Sequence, residues 1–230
     1  MPIDLRLKLL ELTSSRCSLR VKDLDALPEG AQDDSLDALE SLGLLTLSDG
    51  RLSMNARQRV MLAERLIHSG FDAKRVSRFL GWQEFENFAE SILSENGFVT
   101  RKHFVFKSSA GRREIDILAW NDTFLLAVDC KHWLRGLSSG RMKEAVQAQV
   151  ERVSALACRP ELLHRLKVPR PQGRDITPVI LSLGELVDRL IDGVPIVCVS
   201  KLLSFIYGVS PLDGAIERVR VHSDTQSTLG

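Results

Sequence analysis

The 230-residue sequence contains no uninterrupted apolar run long enough to cross a bilayer, which excludes a membrane-spanning helix. Its start, MPIDLRLKLLEL, lacks the apolar core and small-residue cleavage site of a secretory signal, so a cytoplasmic protein is expected. No CxxC pair occurs. The four cysteines, Cys17, Cys130, Cys158 and Cys198, are far apart, which argues against a zinc module and a disulfide scaffold. Large net charge is missing too: at +1, the molecule has no overall field to attract a polyanion, so any nucleic-acid partner must be recognised locally. There is no internal repeat and no low-complexity tract.

What is present reads as two domains. Leucines recur at helical spacing in 6–14, 19–27 and 33–42, and LLTLSDGRLSM then forms two alternating runs about Asp49-Gly50, the pattern of a tight hairpin. Three helices and a hairpin resemble a winged helix-turn-helix over residues 1–80, with 55–80 as a connecting helix broken near Ser69-Gly70. The third helix carries Asp33, Asp34, Asp37 and Glu40, which would repel phosphates. Protein contact or positioning suits it better, unless Arg51, Arg57 and Arg59 reach DNA. A second domain is expected over 81–221, followed by a tail at 222–230. Its order is α-β-β-β-α-β: helix 83–96, strands 98–107, 114–120 and 123–131, helix 141–157 and strand 177–183, with a further strand at 195–200 and a helix at 201–207.

The chemistry concentrates on the second and third of these strands. If Asn121-Asp122 closes a two-residue turn, Asp116 faces Ala127, and alternation puts Asp116, Asp129 and Lys131 on one side of the sheet. The two carboxylates are then diagonal neighbours, roughly 7 to 8 Å apart, a spacing at which they can share one Mg²⁺. The flanking Ile115, Ile117, Phe124, Leu126 and Val128 mark buried strands, where adjacent carboxylates are costly unless a cation or Lys131 compensates. On the preceding helix Glu86 falls at the edge of the apolar stripe Phe85, Phe88, Ala89, Ile92 and Leu93, with Glu90 as the alternative. The plainer account is a surface hairpin whose acidic residues pair with Lys131, Arg112 and Arg113.

The runs GRREIDILAW and LLAVDCKHW resemble the PD-(D/E)xK nuclease superfamily, whose core is an α-β-β-β-α-β unit, over about residues 82–183. The likeness is greatest to the Mrr-like restriction endonucleases and archaeal Holliday-junction resolvases, in which a glutamate-bearing helix ends in a Gly-aromatic pair, here FENFAESILSENGF. Ile115 stands in place of the family proline, and Asp129 in place of the commoner glutamate. The QxxxY signature of the RecB-like branch is absent: Glu151 and Val153 follow Gln147 and Gln149 by four places. Either glutamine could enter the site, but a solvated helix face explains them more simply.

The resemblance implies a Mg²⁺- or Mn²⁺-dependent phosphodiester hydrolase acting on nucleic acid, with DNA endonuclease action in repair, recombination or restriction favoured and homodimers a simple way to cut both strands. Glu86, Asp116, Asp129 and Lys131 would be catalytic. Asp116, Asp129, Glu86 and the Cys130 backbone carbonyl would hold the metal. Arg101, Lys102, Lys107, Arg112 and Arg113 would meet the nucleic-acid backbone, with Arg159, Arg165, Lys167, Arg170 and Arg174 as a second basic group. The alternative is a non-catalytic binding or regulatory protein that keeps the nuclease shape without its chemistry. The run Gly136-Leu137-Ser138-Ser139-Gly140 satisfies GxSxG, but a nucleophile elbow needs preceding parallel strands rather than a meander. His103, His132 and Trp133 receive no role.

Overall fold

The computed structural model describes residues 4–14, 18–24, 31–72, 75–76, 78–131, 133, 138–184, 186, 190–210 and 213–222. Among these, no helix is long and apolar enough to cross a membrane. The chain divides into two compact units, Met1–Phe88 and Ala89–Gly230; the break falls a little beyond the Gly81 boundary expected from sequence.

The first unit contains α1 (Leu5–Leu12), β1 (Ser18–Arg20), α2 (Ala31–Ser41), β2 (Thr46–Ser48), β3 (Arg51–Ser53) and α3 (Ala56–His68). Of the helix expected over 19–27, residues 19–24 are described and are not α-helical: Ser18–Arg20 is a strand followed by a 3₁₀ turn at Val21–Asp23, and 25–27 lie outside the described residues. Leu19 pairs with Leu52 and both are buried, so this short run gains more as the edge of the sheet β1-β3-β2 than as an isolated helical turn. The β2–β3 turn is the expected one. Ser48 pairs with Arg51, and Asp49 and Gly50 both take positive φ, as a two-residue hairpin requires.

Arg59 is 3% exposed, which rules out the DNA contact considered for it. Its guanidinium donates to Leu10 O at 3.0 Å, to Thr13 Oγ1, to Phe79 O and to Glu84 Oε1 at 2.5 Å, tying together four segments of the first unit. Glu40, in the acidic helix, accepts from Leu47 N at 2.6 Å and so anchors the hairpin.

The helix α4 (Trp82–Glu95) leads into the second unit. It ends where Gly97, at φ +82°, lets Phe98 N donate back to Leu93 O. Then follow β4 (Val99–Ser108), β5 (Gly111–Trp120), β6 (Leu125–Lys131), α5 (Ser139–Ala157), α6 (Pro160–Arg165), β7 (Asp175–Ser182), β8 (Leu190–Ile191), β9 (Val194–Cys198), α7 (Leu202–Gly208) and β10 (Val219–Arg220). The short α6, β8 and β10 lack periodic patterns long enough to be read from sequence. The described strands form a mixed sheet in the order β4-β5-β6-β7-β9-β8, with β10 beside β7. The architecture is α/β.

The meander β4–β5–β6 is antiparallel, and β7 joins β6 in parallel, the connection that α5 makes possible. Every residue of β6 except Lys131 is buried, as suits a strand paired on both sides. Under α5, Leu118, Trp120, Leu125 and Ala127 pack with Val153, Leu156 and Ala157. Ile115 belongs to the same cluster although it lies three residues from Leu118, which strict alternation forbids.

The reason lies between them. β4 pairs with β5 on both sides of the 103–116 position but not at it, and His103 has φ +48°. The strand pair is locally twisted opposite Asp116, and alternation slips by one residue there.

Candidate active site

The hairpin that carries the acidic residues is built differently from the expected one. Trp120 pairs with Leu125, leaving a four-residue connection, Asn121–Phe124. Asn121 Oδ1 accepts from Thr123 N at 2.9 Å and Phe124 N at 2.8 Å, so a side chain closes the loop that a two-residue turn was expected to close. Arg174 braces it by donating to Asn121 O and to Phe124 O, and to Pro169 O. This occupies a guanidinium that sequence offered as a phosphate contact, and burial lowers its pKa.

The longer loop shifts the register by two. Leu118, not Asp116, faces Ala127, and the ladder runs from Trp120↔Leu125 to Ile117↔Val128, ending one step short of Asp116 and Asp129. A shift of two keeps the side chains of the paired residues, Ile117–Trp120 and Leu125–Val128, on their faces. The two carboxylates are near enough for the charge of Asp129 to act on Asp116. Cys130 N donates to Asp116 Oδ2 at 2.8 Å, which holds the half-buried carboxyl against β6.

Asp129 is 1% exposed. Arg152 Nη1 donates to its Oδ1 at 2.7 Å, and Lys131 Nζ lies 2.8 Å from its Oδ2. The lysine approaches outside hydrogen-bonding geometry, so Oδ2 remains buried without a hydrogen bond despite the close charge. Burial raises the Asp116 pKa above the ordinary carboxylate value. The Cys130 N–H opposes this, the charge of Asp129 adds to it, and Lys131 and Arg152 reduce it. Asp116, Asp129, Lys131 and Arg152 thus form one electrostatic group.

The sequence reading preferred a solvated face for Gln149 and did not single out Arg152. Gln149 is fully buried, not on a solvated face: its Nε2 donates to Ala127 O at 2.8 Å, while Oε1 is buried without a partner. Arg152, almost a turn further along α5, had no motif to mark it. The helical spacing from Gln149 was the available signal.

Glu86 is 9% exposed on α4, within the first unit, and one turn before Glu90. Glu90 itself pairs with Lys102 at 2.9 Å and accepts from Thr100 Oγ1 at 3.0 Å. Of the expected nucleic-acid contacts, Arg101, Lys107 and Arg112 are exposed, Lys102 is engaged by Glu90, and Arg113 is half-buried. His103 Nδ1 is 3.2 Å from Glu114 Oε1. Trp133 packs against Met142, Val146 and Ile180, as a core residue does. His132, Gly136 and Leu137 lie outside the described residues.

The donor set suits a hard cation in part. Two carboxylates act on each other, one oxygen is buried without a hydrogen bond, and one carboxyl has its ionisation opposed by burial, a cost that a cation would relieve. Among the described residues no group of three or more His, Cys, Asp or Glu is placed to hold a metal ion, so further ligands must come from backbone or solvent.

No family model matches the sequence. The chain is similar to three solved structures: a protein of unknown function, AF1548 (17% identity, TM-score 0.34, 55% of this chain and 66% of that one); VC1899 from Vibrio cholerae (12%, TM-score 0.39, 88% and 49%); and Can2 from Sulfobacillus thermosulfidooxidans, solved with cyclic tetra-adenylate (11%, TM-score 0.32, 88% and 50%). It spans about half the length of the last two. TM-scores this low do not establish a shared fold. An uncharacterized protein of Archaeoglobus fulgidus is 31% identical over 129 residues, which make up 54% of this chain and 88% of that protein. By that extent of identity, the chain belongs to the same family as the uncharacterized Archaeoglobus fulgidus protein.

Proposed function

We propose that the chain is a metal-dependent nuclease that hydrolyses phosphodiester bonds, with DNA as its substrate. The observation that carries this reading is that Asp116, bonded to Cys130 N, and Asp129, with Lys131 Nζ 2.8 Å away, act on each other at a strand, β6, otherwise filled with buried apolar residues. Buried charge at such a position is expensive and calls for a use. The order α4-β4-β5-β6-α5-β7 supports a restriction-endonuclease-like core of the PD-(D/E)xK type, and the sheet and helices of the first unit support a winged-helix-like module.

Asp116 and Asp129 would hold Mg²⁺ or Mn²⁺, with the Cys130 carbonyl and solvent as further ligands. Bound there, the cation supplies Lewis acidity, lowering the pKa of water and neutralising charge on the phosphate. Lys131 holds its ammonium at the same carboxylate, where it can orient the attacking water or stabilise charge that develops on the phosphorus oxygens. The exposed Arg101, Lys107 and Arg112 offer charge to the nucleic-acid backbone.

The test is a Mg²⁺ cleavage panel of linear, branched, flapped and single-stranded DNA, and RNA, with Mn²⁺ calorimetry. The wild type should cut at least one DNA substrate, whereas Asp116→Asn and Lys131→Ala should fold yet cut none. One observation favours a second reading: Lys131 and Arg152 already compensate Asp129, as they would in a non-catalytic protein that keeps the site as structure. DNA binding without Mn²⁺ uptake or cleavage would establish that alternative and overturn the nuclease.

A further inference from the structure

Resting on the nuclease reading, we propose that Arg152 is a two-position phosphate ligand. In the free protein it is the counter-ion of Asp129, and in the nucleic-acid complex it donates to a non-bridging oxygen of the phosphodiester beside the cation.

The charges require some such exchange. Asp116 and Asp129 bring two negative charges, and Lys131 and Arg152 bring two positive ones, so the group is balanced by itself. A divalent cation would leave two positive charges in excess within a largely buried site. A phosphodiester anion relieves part of that excess, so cation and nucleic acid should each strengthen the other's binding. The guanidinium at Asp129 Oδ1 meanwhile competes with the cation for the carboxylate.

Of the two basic residues, Arg152 is the one whose forked donors match a phosphate oxygen. Lys131 sits two residues from Asp129 on the same strand, whereas Arg152 reaches across from α5 on a long side chain that is 18% exposed. The backbone beneath it is fixed, because the buried Gln149 bonds α5 to Ala127 O, two residues from Asp129. Its Nε donates to Ala148 O at 3.1 Å and its Nη1 to Asp129; Nη2 makes no hydrogen bond among the described residues. A planar group with donors to spare beside a carboxylate cluster is suited to a forked phosphate contact.

The experiment titrates Mn²⁺ into full-length wild type, Arg152→Met and Arg152→Lys by calorimetry, with and without a phosphorothioate DNA duplex, and measures KM and kcat for the best substrate of the cleavage panel. Thermal melts verify folding. Without DNA, R152M should bind Mn²⁺ at least about fivefold more tightly than wild type. DNA should improve Mn²⁺ affinity in wild type and much less in R152M, and KM should rise in both variants. R152K, which keeps the charge, should retain wild-type Mn²⁺ affinity, and it decides the matter through KM if R152M does not fold. A wild type that binds Mn²⁺ and cleaves, beside a folded R152M of unchanged or weaker Mn²⁺ affinity, would overturn the proposal and leave the nuclease reading intact. A wild type that neither binds Mn²⁺ nor cleaves would end both.

Discussion

Asp116 and Cys130 are joined across the β5–β6 hairpin: the Cys130 backbone N–H donates to Asp116 Oδ2 at 2.8 Å, and it does so against a burial that favours the neutral acid. Because the folded-state pKa is raised, ionising Asp116 costs more in the folded chain than in the unfolded one. That cost is absent in acid, where both states are protonated. It appears as pH rises through the ordinary carboxylate range and is fully present above the folded pKa. Asp116→Asn keeps an acceptor for the Cys130 N–H and removes the charge. Its melting temperature should exceed that of wild type at neutral pH, and the gap should close on acidification below about pH 4. Mg²⁺ should raise the wild-type melting temperature but not the variant's. Melts across pH, with and without Mg²⁺, check both expectations.

Lys131→Met should have effects of two kinds. Asp129 keeps Arg152 but loses the cation at its buried Oδ2, which should cost about 1–3 kcal/mol of stability. Cleavage should fall further than stability can explain, by about 10²–10³-fold in kcat, the scale seen when one stabilising group is lost from an active site. Urea denaturation and single-turnover cleavage measure the two effects separately.

Part of this site was legible because alternation holds along β6, which puts Asp129 and Lys131 on one face whatever the register at Asn121, and Asp116 is tied to the same strand by Cys130 N. The loop length was not legible, since Asn121 closes a four-residue connection through its own side chain and nothing local distinguishes that from a two-residue turn. Arg152 was hidden for another reason. Its partner lies 23 positions away on another element, and one arginine on a helix looks like any solvated charge. The strand at Ser18–Arg20 was missed because it is too short for any period and is made a strand only by Arg51–Ser53. The slip in alternation at Asp116 also has no sequence mark, since a histidine rather than a glycine occupies the left-handed position.

That last feature can be tested at His103. At φ +48° a β-branched side chain is strained, while glycine is not. His103→Val should destabilise by about 1–2 kcal/mol. His103→Gly should cost less than that, although it also removes the contact with Glu114. If the twist positions Asp116, valine should also weaken Mn²⁺ binding and glycine should largely spare it. Denaturation and calorimetry on both variants distinguish a strained backbone from a required imidazole, because in the latter case glycine would be the more damaging change.

Arg59 provides a prediction for the first unit that needs no nuclease activity. Its buried guanidinium satisfies the carbonyls of Leu10 and Phe79 and pairs with Glu84, so Arg59→Met leaves several acceptors without a donor. Breaking such a buried charge pair costs about 3–5 kcal/mol. Glu84→Gln should cost less, because Glu84 is partly exposed and its partner keeps its carbonyl acceptors. Hydrogen exchange should show the loss across Leu5–Leu12 and Ala56–His68. Any fall in DNA affinity should follow that local unfolding and disappear at temperatures where the variant stays folded. A fall that persists in the folded variant would mean that Arg59 touches DNA, which its burial argues against.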